Sequence, residues 1–529
     1  MPKFVILWTD AALFALVITV AFYAWRVSRA DNARATWARV LRRGPAMCSA
    51  VILAFFVVIG LLDSIHFQPR LPVSAGVSNG SASVGSPQAV AYSPEVVSLL
   101  DTLLKDTALL HKEKTYSAPL AWQQFTKESI LQEGGQPIRD FPRLRFGGRH
   151  LDDPQTQWLG DVFKRGSLGA LTGLLTGVVL VMLVTALIAR SRRQHQSRML
   201  VAATSVASTS LASTPSAEPA PAVVPQSFSR VWCQIWRGHT DIAWRAMFVT
   251  TLIIAVLLGV TFGLASGYHV LGTDRTGNDV LWQALKSIRT AWVIGSLTTV
   301  AMLPPAIMFG LAAGYFRGWI DDVIQYIYTT LTSIPGVLLI AACVLMMQVY
   351  IDTHSQLFPT SAQRADLRLF LLCMILGLTG WAGLCRLLRA EVMKLRELEY
   401  VQAARAFGVS HFRIMFRHLL PNVMHIILIT LVLEFSGLVL YEAVLSYLGI
   451  GVDPTMNSFG TMIDKSRMEM SRDPMVWWGL LSAFVFMLTM VLAANLFADG
   501  VRDAFDPRSR PLRPARLRQK RKLAAQETP

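Results

Sequence analysis

Glu397-Leu398-Glu399-Tyr400-Val401-Gln402-Ala403-Ala404-Arg405-Ala406-Phe407-Gly408, followed by Pro421-Asn422, is a polar stretch set between two long apolar segments. Local chemistry predicts a helix-turn-helix there. Glu397 and Glu399 stand where a helix N-terminus favours anions, and Ala403, Ala404 and Ala406 are strong helix formers. Gly408 breaks that helix, His411 to Leu420 makes a second short basic helix, and Pro421 starts the next apolar run. A small amphipathic hairpin held at a membrane surface suits docking against a soluble partner.

The rest of the chain supplies the membrane. Hydrophobic residues make up 53% of the 529 and charged residues only 16%, too few to cover a water-soluble surface. Segments near 4–25, 46–65, 167–189, 246–267, 289–314, 325–350, 369–388, 424–446 and 476–498 are apolar and long enough to cross about 30 Å of hydrocarbon as helices. The expected fold is therefore an all-α polytopic membrane protein of about nine crossings. Basic residues orient it: Arg26 to Arg43 follow the first segment, Arg190 to Arg198 the third, Arg386 to Arg396 the seventh, and Arg508 to Lys522 the last. With basic loops inside, the N-terminus is outside, the C-terminus is cytoplasmic, and the 397–421 loop is cytoplasmic. Residues 4–25 carry Trp25-Arg26 and further arginines where a signal peptide needs a small-residue cleavage site, so they read as an uncleaved anchor.

The hairpin resembles the coupling loop of ABC importer permeases, whose motif is Glu-Ala-Ala, three residues, Gly, and a distal Leu-Pro. Gln402-Ala403-Ala404, Gly408 and Leu420-Pro421 occupy those places, with Gln402 departing from the acid that names the loop. Flanking stretches extend the resemblance. They are Leu271-Gly272-Thr273-Asp274 with Gly277 and Asp279, Ala313-Gly314-Tyr315-Phe316-Arg317-Gly318-Trp319-Ile320-Asp321, and Ser333-Ile334-Pro335. Glu442-Ala443 with Leu445 to Gly449, and Asp499-Gly500-Val501-Arg502-Asp503 with Asp506-Pro507, complete the set. Together they resemble the second membrane subunit of dipeptide, oligopeptide and nickel importers over about residues 235–508.

That resemblance implies a transport subunit of the bacterial cytoplasmic (inner) membrane, forming half of a translocation pathway for peptides. Its implied partners are a second homologous permease, ATP-binding subunits that hold ATP and magnesium, and an extracytoplasmic substrate-binding protein. Glu399, Gln402, Ala403, Ala404, Gly408 and Pro421 are the implied ATPase-coupling residues. The chain itself carries no ATP-cradling Gly-x-x-x-x-Gly-Lys-[Ser/Thr] loop and no His-Glu-x-x-His pair, so no catalytic residue, cofactor or metal is expected in it.

Charges inside apolar runs are the expected pathway residues. Glu434 and Glu442 lie about 80° apart around the eighth crossing, so both can face the bundle interior. Pro335 interrupts the sixth crossing, as Pro304-Pro305 interrupts the fifth, and such breaks line cavities or permit rocking. Glu434 and Glu442 also define the alternative of a secondary transporter driven by an ion gradient. The net charge of +16 sits beside apolar segments, where it fixes topology and meets anionic lipid; nucleic acid is not an expected partner. Five cysteines lack metal or redox spacing and read as apolar fillers.

The expected organisation runs from two N-terminal crossings (1–66) through an extracytoplasmic insert (67–165), a third crossing (166–190) and a Ser/Ala/Pro-rich cytoplasmic linker (191–234). A six-helix permease core (235–508) and a basic tail (509–529) follow, leaving the front three helices as additions outside the core. Leucines from Leu99 to Leu110 recur with helical spacing in the insert, as a small cap on the outer mouth or a helix packed on its own neighbours. Gly169, Gly173 and Gly177 line one helix face and predict close packing against another helix.

Overall fold

The computed structural model describes residues 3–70, 92–93, 96–131, 137–209, 228–238, 240, 242–354, 356 and 360–505. The tail at 509–529 and the Ser/Gly tract at 74–86 lie outside the described residues. Among the described residues, nine helices are long and apolar enough to cross a membrane, as the hydropathy pattern predicts. The chain opens with α1 (Trp8–Arg29), α2 (Asp31–Leu41) and α3 (Gly44–Asp63). Beyond α3 a three-stranded antiparallel sheet of β1 (Lys3–Val5), β2 (His66–Gln68) and β3 (Val97–Ser98) ties the N-terminus to the insert.

Within the insert the leucine pattern yields only one short helix, α4 (Leu99–Leu104), and a 3-10 turn at Ala108–Leu110. Ser98 and Asp101 form a capping box that fixes the start of α4. Leu100, Leu104 and Leu109 are buried together with Phe56 and Ile59 of α3, so the insert packs on the membrane helices and not only on itself. A hairpin of β4 (Glu128–Leu131) and β5 (Pro137–Asp140) completes it.

Two long helices follow, α5 (Pro154–Thr209) and α7 (Trp244–Ala265), with the short α6 (Phe228–Trp236) between them. Part of the expected linker is thus helical, and residues 210–227 of it lie outside the described residues. Gly169 and Gly173 of α5 meet Gly259 and Ala255 of α7, where an added Cβ would land on backbone carbonyls. This glycine seam gives the expected close approach its partner.

The remaining helices are α8 (Val280–Phe316), α9 (Trp319–Ser333), α10 (Gly336–Thr353), α11 (Ser361–Gly380), α12 (Ala382–Arg396), α13 (Glu399–Ala406), α14 (His411–Ile414), α15 (Leu420–Tyr447), α16 (Phe459–Arg467) and α17 (Trp478–Phe505). Of the two proline breaks expected, the structure has one. Helix α8 runs unbroken through Pro304 and Pro305, whereas the expected 325–350 crossing divides at Ile334-Pro335 into α9 and a membrane-spanning α10.

The packing also revises which crossing belongs to the bundle. One buried cluster joins Phe56 and Ile59 of α3 to Ala284 and Ile288 of α8, Val439 of α15, Phe459 of α16 and Met490 of α17. At its other end α3 begins against α17, with Ala46 on Gly500, Val40 of α2 beside Val501, and Arg43 of the α2–α3 turn paired with Asp503. Helix α7, expected as the first crossing of the rear unit, packs chiefly on α5 and α3. The paired α5 and α7 flank the bundle, and α3 sits inside it.

Candidate functional site: a clamped hairpin and the break beside it

The hairpin forms where expected, and its ends follow from backbone chemistry. Helix α13 ends in a Schellman motif: the N–H of Val409 donates to the Ala404 carbonyl at 3.1 Å and that of Gly408 to Arg405 at 3.0 Å. Gly408 has φ +73°, the left-handed conformation that a Cβ disfavours, and nothing lies within 4 Å of the Cβ position. The second helix differs from expectation. Helix α14 passes through a π-turn at Met415–Leu419 into α15, so one continuous helical element runs from His411 to Tyr447. Pro421 is an early residue of α15, where its missing N–H is tolerated because the π-turn has already shifted the hydrogen-bond ladder.

The underside of the hairpin is apolar and fully packed. Val401, Ile414, Met415 and Leu419 are buried with Tyr315 of α8 and Val392 of α12, and Ala404 and Val409 pack against that cluster. Polar clamps surround it. Arg396 donates to the Tyr315 carbonyl at 2.7 Å, the Tyr315 hydroxyl lies 2.8 Å from Nδ1 of His411, and Arg317 pairs with Glu397 at 3.0 Å. Asn422 donates to the Tyr400 hydroxyl at 2.9 Å, and Gln402 donates through Nε2 to the Glu397 carbonyl at 3.1 Å. The last bond requires an amide; a carboxylate at position 402 has no proton to give.

The stretch Ala313 to Asp321 is the base of this site, a role that its sequence did not disclose. Gly314 lets α8 lie against Val392 of α12, where a Cβ would come within 2.7 Å of the valine side chain. Arg317 (φ +57°) and Gly318 (φ +63°) then reverse the chain into α9. Asp321, near the start of α9, accepts two hydrogen bonds from Arg389 of α12.

The opposite face of the hairpin is open. Glu399, Gln402, Ala403, Gly408 and Pro421 are exposed, while Ala404 turns inward. Around them stand aromatic rings with no apolar cover: Phe407 is 86% exposed, Phe412 71%, and Phe412 stacks on Phe416 with ring centroids 5.1 Å apart. A rigid base with an exposed aromatic tip has the anatomy of a docking surface.

The expected pathway residues separate. Glu442 is buried, and Ser446 donates to it at 2.7 Å while Gly460 at the start of α16 packs against its carboxylate, so it braces α15 against α16. Glu434 is half-buried and, among the described residues, makes no hydrogen bond or ion pair. Pro335 lies in the exposed break between α9 and α10, next to Gly336, whose Cβ position is 3.3 Å from the Tyr441 hydroxyl. Irregular backbone within a membrane is stable only where protein covers it or water reaches it. Among the described residues, no group of His, Cys, Asp and Glu side chains is arranged to hold a metal ion.

At the end of α8 away from the hairpin, Leu271 to Asp279 receives the insert. Thr273 exchanges hydrogen bonds with Ser117 and its hydroxyl donates to the Thr115 carbonyl, the N–H of Glu113 donates to the Gly277 carbonyl, and a Cβ at Gly277 (φ +76°) would land on the Glu113 backbone. Beneath them His269 is fully buried between Asp279, 2.7 Å from Nδ1, and Glu113, 3.5 Å from Nε2. Burial alone would lower the His269 pKa, but hydrogen bonds to Asp279 and Glu113 outweigh it and raise it to about 9. For Glu113 burial acts upward, yet His269 and the N–H groups of Arg145, Phe146 and Gly147 hold the carboxyl down at about 2.

Residues 306–511 match the family described as binding-protein-dependent transport system inner membrane component. The oligopeptide transport system permease protein OppC of Mycobacterium tuberculosis is 35% identical over 245 residues, covering 46% of this chain and 78% of that protein. The glutathione transport system permease protein GsiD of Pectobacterium atrosepticum is 28% identical over 306 residues, covering 54% of this chain and 95% of that one. The dipeptide transport system permease protein DppC of Bacillus subtilis is 28% identical over 245 residues, with coverage of 46% and 70%.

Proposed function

The chain belongs to the binding-protein-dependent transport system inner membrane components and is a permease subunit of an ABC importer, and from that premise we propose that its hairpin at 397–421 receives the stroke of a separate ATPase. In this reading ATP hydrolysis belongs to that partner and not to this chain. The observation that carries this reading is the pairing of an exposed aromatic tip, Phe407, Phe412 and Phe416, with a base clamped to α8, α9 and α12. A partner that closes on binding ATP and magnesium would push the tip, and the clamps would pass the motion to the helices as a rigid body. Because α14 continues through the π-turn into α15, the same push reaches the helix that carries Glu434.

The named relatives support peptides as the cargo. In this reading a second homologous permease completes the pathway, an extracytoplasmic binding protein delivers the peptide, and the assembly sits in the bacterial inner membrane with the hairpin inside. The pathway candidates are the open break at Ser333-Ile334-Pro335 and, on α15, Glu434, a carboxylate that could meet a peptide amino terminus. The permease core comprises α3 and α8 to α17, and the α5–α7 pair is an insertion between its first helix and the Leu271–Asp279 stretch. The ion-driven alternative loses its paired acids, since Glu442 is committed to Ser446 and α16.

Gentle purification of the tagged chain from native membranes, with mass spectrometry of its companions, tests the proposal. Recovery of a second permease and an ATP-binding protein is expected. Recovery of the chain alone, still moving peptide into vesicles without ATP, would overturn it.

A further inference from the structure

At the end of α8 away from the hairpin, the insert, the Leu271–Asp279 turn, α16 and the start of α17 surround an open cavity of about 380 Å³. Its wall is apolar, formed by Val280, Met462, Val476 and Trp478. The Tyr116 hydroxyl of the insert is buried in that wall beside Glu469, yet neither the hydroxyl nor Oε2 of Glu469 has a hydrogen-bond partner. Arg472 balances the charge of Glu469, with Nε 3.0 Å from Oε2, but out of line for a hydrogen bond.

Charge around the rim is not balanced. Asp274 is committed to its own turn and to α8, accepting from Thr276, Asn278 and Gln283, and Asp464 is paired with Arg467 at 3.1 Å. That leaves Arg275 and Lys465, both exposed and, among the described residues, without an acidic partner. Arg275 stands near enough to the Tyr116 hydroxyl to act on it electrostatically, so rim and depth belong to one site.

These groups call for a ligand with three parts. The unmet donor and acceptor at depth match a residue of an extended peptide, whose N–H and C=O point the same way. The two rim cations match a carboxylate, and the apolar wall matches a side chain. Inorganic phosphate would answer the cations and leave the wall and Tyr116 unmet; a fatty acid would leave Glu469 without a donor. The volume is at the small end of ligand pockets, which favours a short peptide.

We propose that this cavity binds a short extended peptide, with the N–H and C=O of its next-to-last residue on Glu469 and Tyr116, its C-terminal carboxylate between Arg275 and Lys465, and its last side chain along Trp478. The site stands apart from the hairpin and requires no movement of the peptide across the membrane. The test is calorimetric titration of the full chain in lipid nanodiscs with Ala-Ala-Phe, together with photo-crosslinking by the same tripeptide carrying benzoylphenylalanine as its last residue. Saturable binding is expected, with adducts mapped by mass spectrometry to residues 462–480. The C-terminal amide of the tripeptide is expected to bind about tenfold more weakly. Arg275→Ala, Lys465→Ala and Tyr116→Phe should each weaken binding about fivefold, whereas Arg149→Ala, on an exposed part of the insert, leaves it unchanged. Tyr116→Phe keeps the buried ring, so its effect reads the hydroxyl and not the fold. Absence of saturable binding, equal binding of the tripeptide and its amide, equal loss in Arg149→Ala, or adducts confined to α9, α10 and α15 would each overturn the proposal.

Discussion

Both Nε and Nη2 of Arg389 donate to the Asp321 carboxylate, at 2.5 and 2.7 Å, so the helix leading into the hairpin is bolted to the short helix that precedes the Pro335 break. A fork-to-carboxylate pair of this geometry resists rotation as well as separation, which is what a joint transmitting a push requires. The pair sits at the base of the site, away from the exposed tip.

Breaking that joint should uncouple the transporter before it unfolds it. Arg389→Ala leaves Asp321 mostly buried without its partner, at a cost of about 1–3 kcal/mol. Uptake per ATP hydrolysed is expected to fall severalfold while membrane insertion is retained. The exchange Asp321→Arg with Arg389→Asp should restore part of the loss, measured as uptake in reconstituted vesicles.

At Gly408 the constraint is conformational. With open space around the Cβ position, a substitution there meets no clash and costs only the left-handed φ, about 1–2 kcal/mol for an ordinary residue. Gly408→Val is expected to impair ATP-driven uptake strongly and Gly408→Asn, which tolerates that φ, only slightly. Gly408→Asp should fall between them in protein that assembles normally. Equal uptake by all three would show that the turn does not matter.

The aromatic tip should behave as a binding hot spot. Replacing Phe407 and Phe412 by Ser removes two exposed rings without touching the buried Val401 and Ile414 beneath them. Co-purification of an ATP-binding protein is expected to drop about tenfold or more, with no change in the thermal stability of the membrane chain.

For the clasp between the insert and Leu271–Asp279 the pH dependence has a definite sign. His269 is raised from 6.5 to about 9, so its contribution is complete below pH 6.5 and disappears as pH rises through 9. Glu113 is lowered from 4.5 to about 2, so its contribution is complete above pH 4.5 and disappears as pH falls through 2. Protection of residues 113–120 from hydrogen exchange is therefore expected to be highest between about pH 4.5 and 6.5 and to decline toward pH 9. His269→Gln should flatten the alkaline decline.

How much of this was legible in the sequence follows the range of the forces involved. Helix α13 and its glycine stop are written in neighbouring residues, and the nine crossings follow from hydropathy, which needs no knowledge of neighbours in space. The Arg389–Asp321 joint is different, because the two residues are 68 apart and neither helix alone marks its partner. Pro421 misled because a proline in the first turn of a helix looks locally like a boundary, whereas the π-turn carries the helix across it. Hydropathy likewise cannot distinguish α3 from α7. Both are apolar crossings, and only the meeting of Ala46 with Gly500 and of Phe56 with the α8–α17 cluster places α3 within the bundle. Glu442 looked like a pathway acid because a charge in an apolar helix is unusual, but its partner Ser446 lies one turn further along the same helix.

The most direct measurement is a photo-crosslinking amino acid placed at Phe407 in intact membranes, the most exposed ring of the tip. The account predicts an adduct between this chain and an ATP-binding protein, lost when the probe is moved to the buried Val401. Adducts to lipid alone, or the same ATP-binding adduct from a probe at the exposed Met468, beside Thr273 and Asp274 and away from the hairpin, would contradict it.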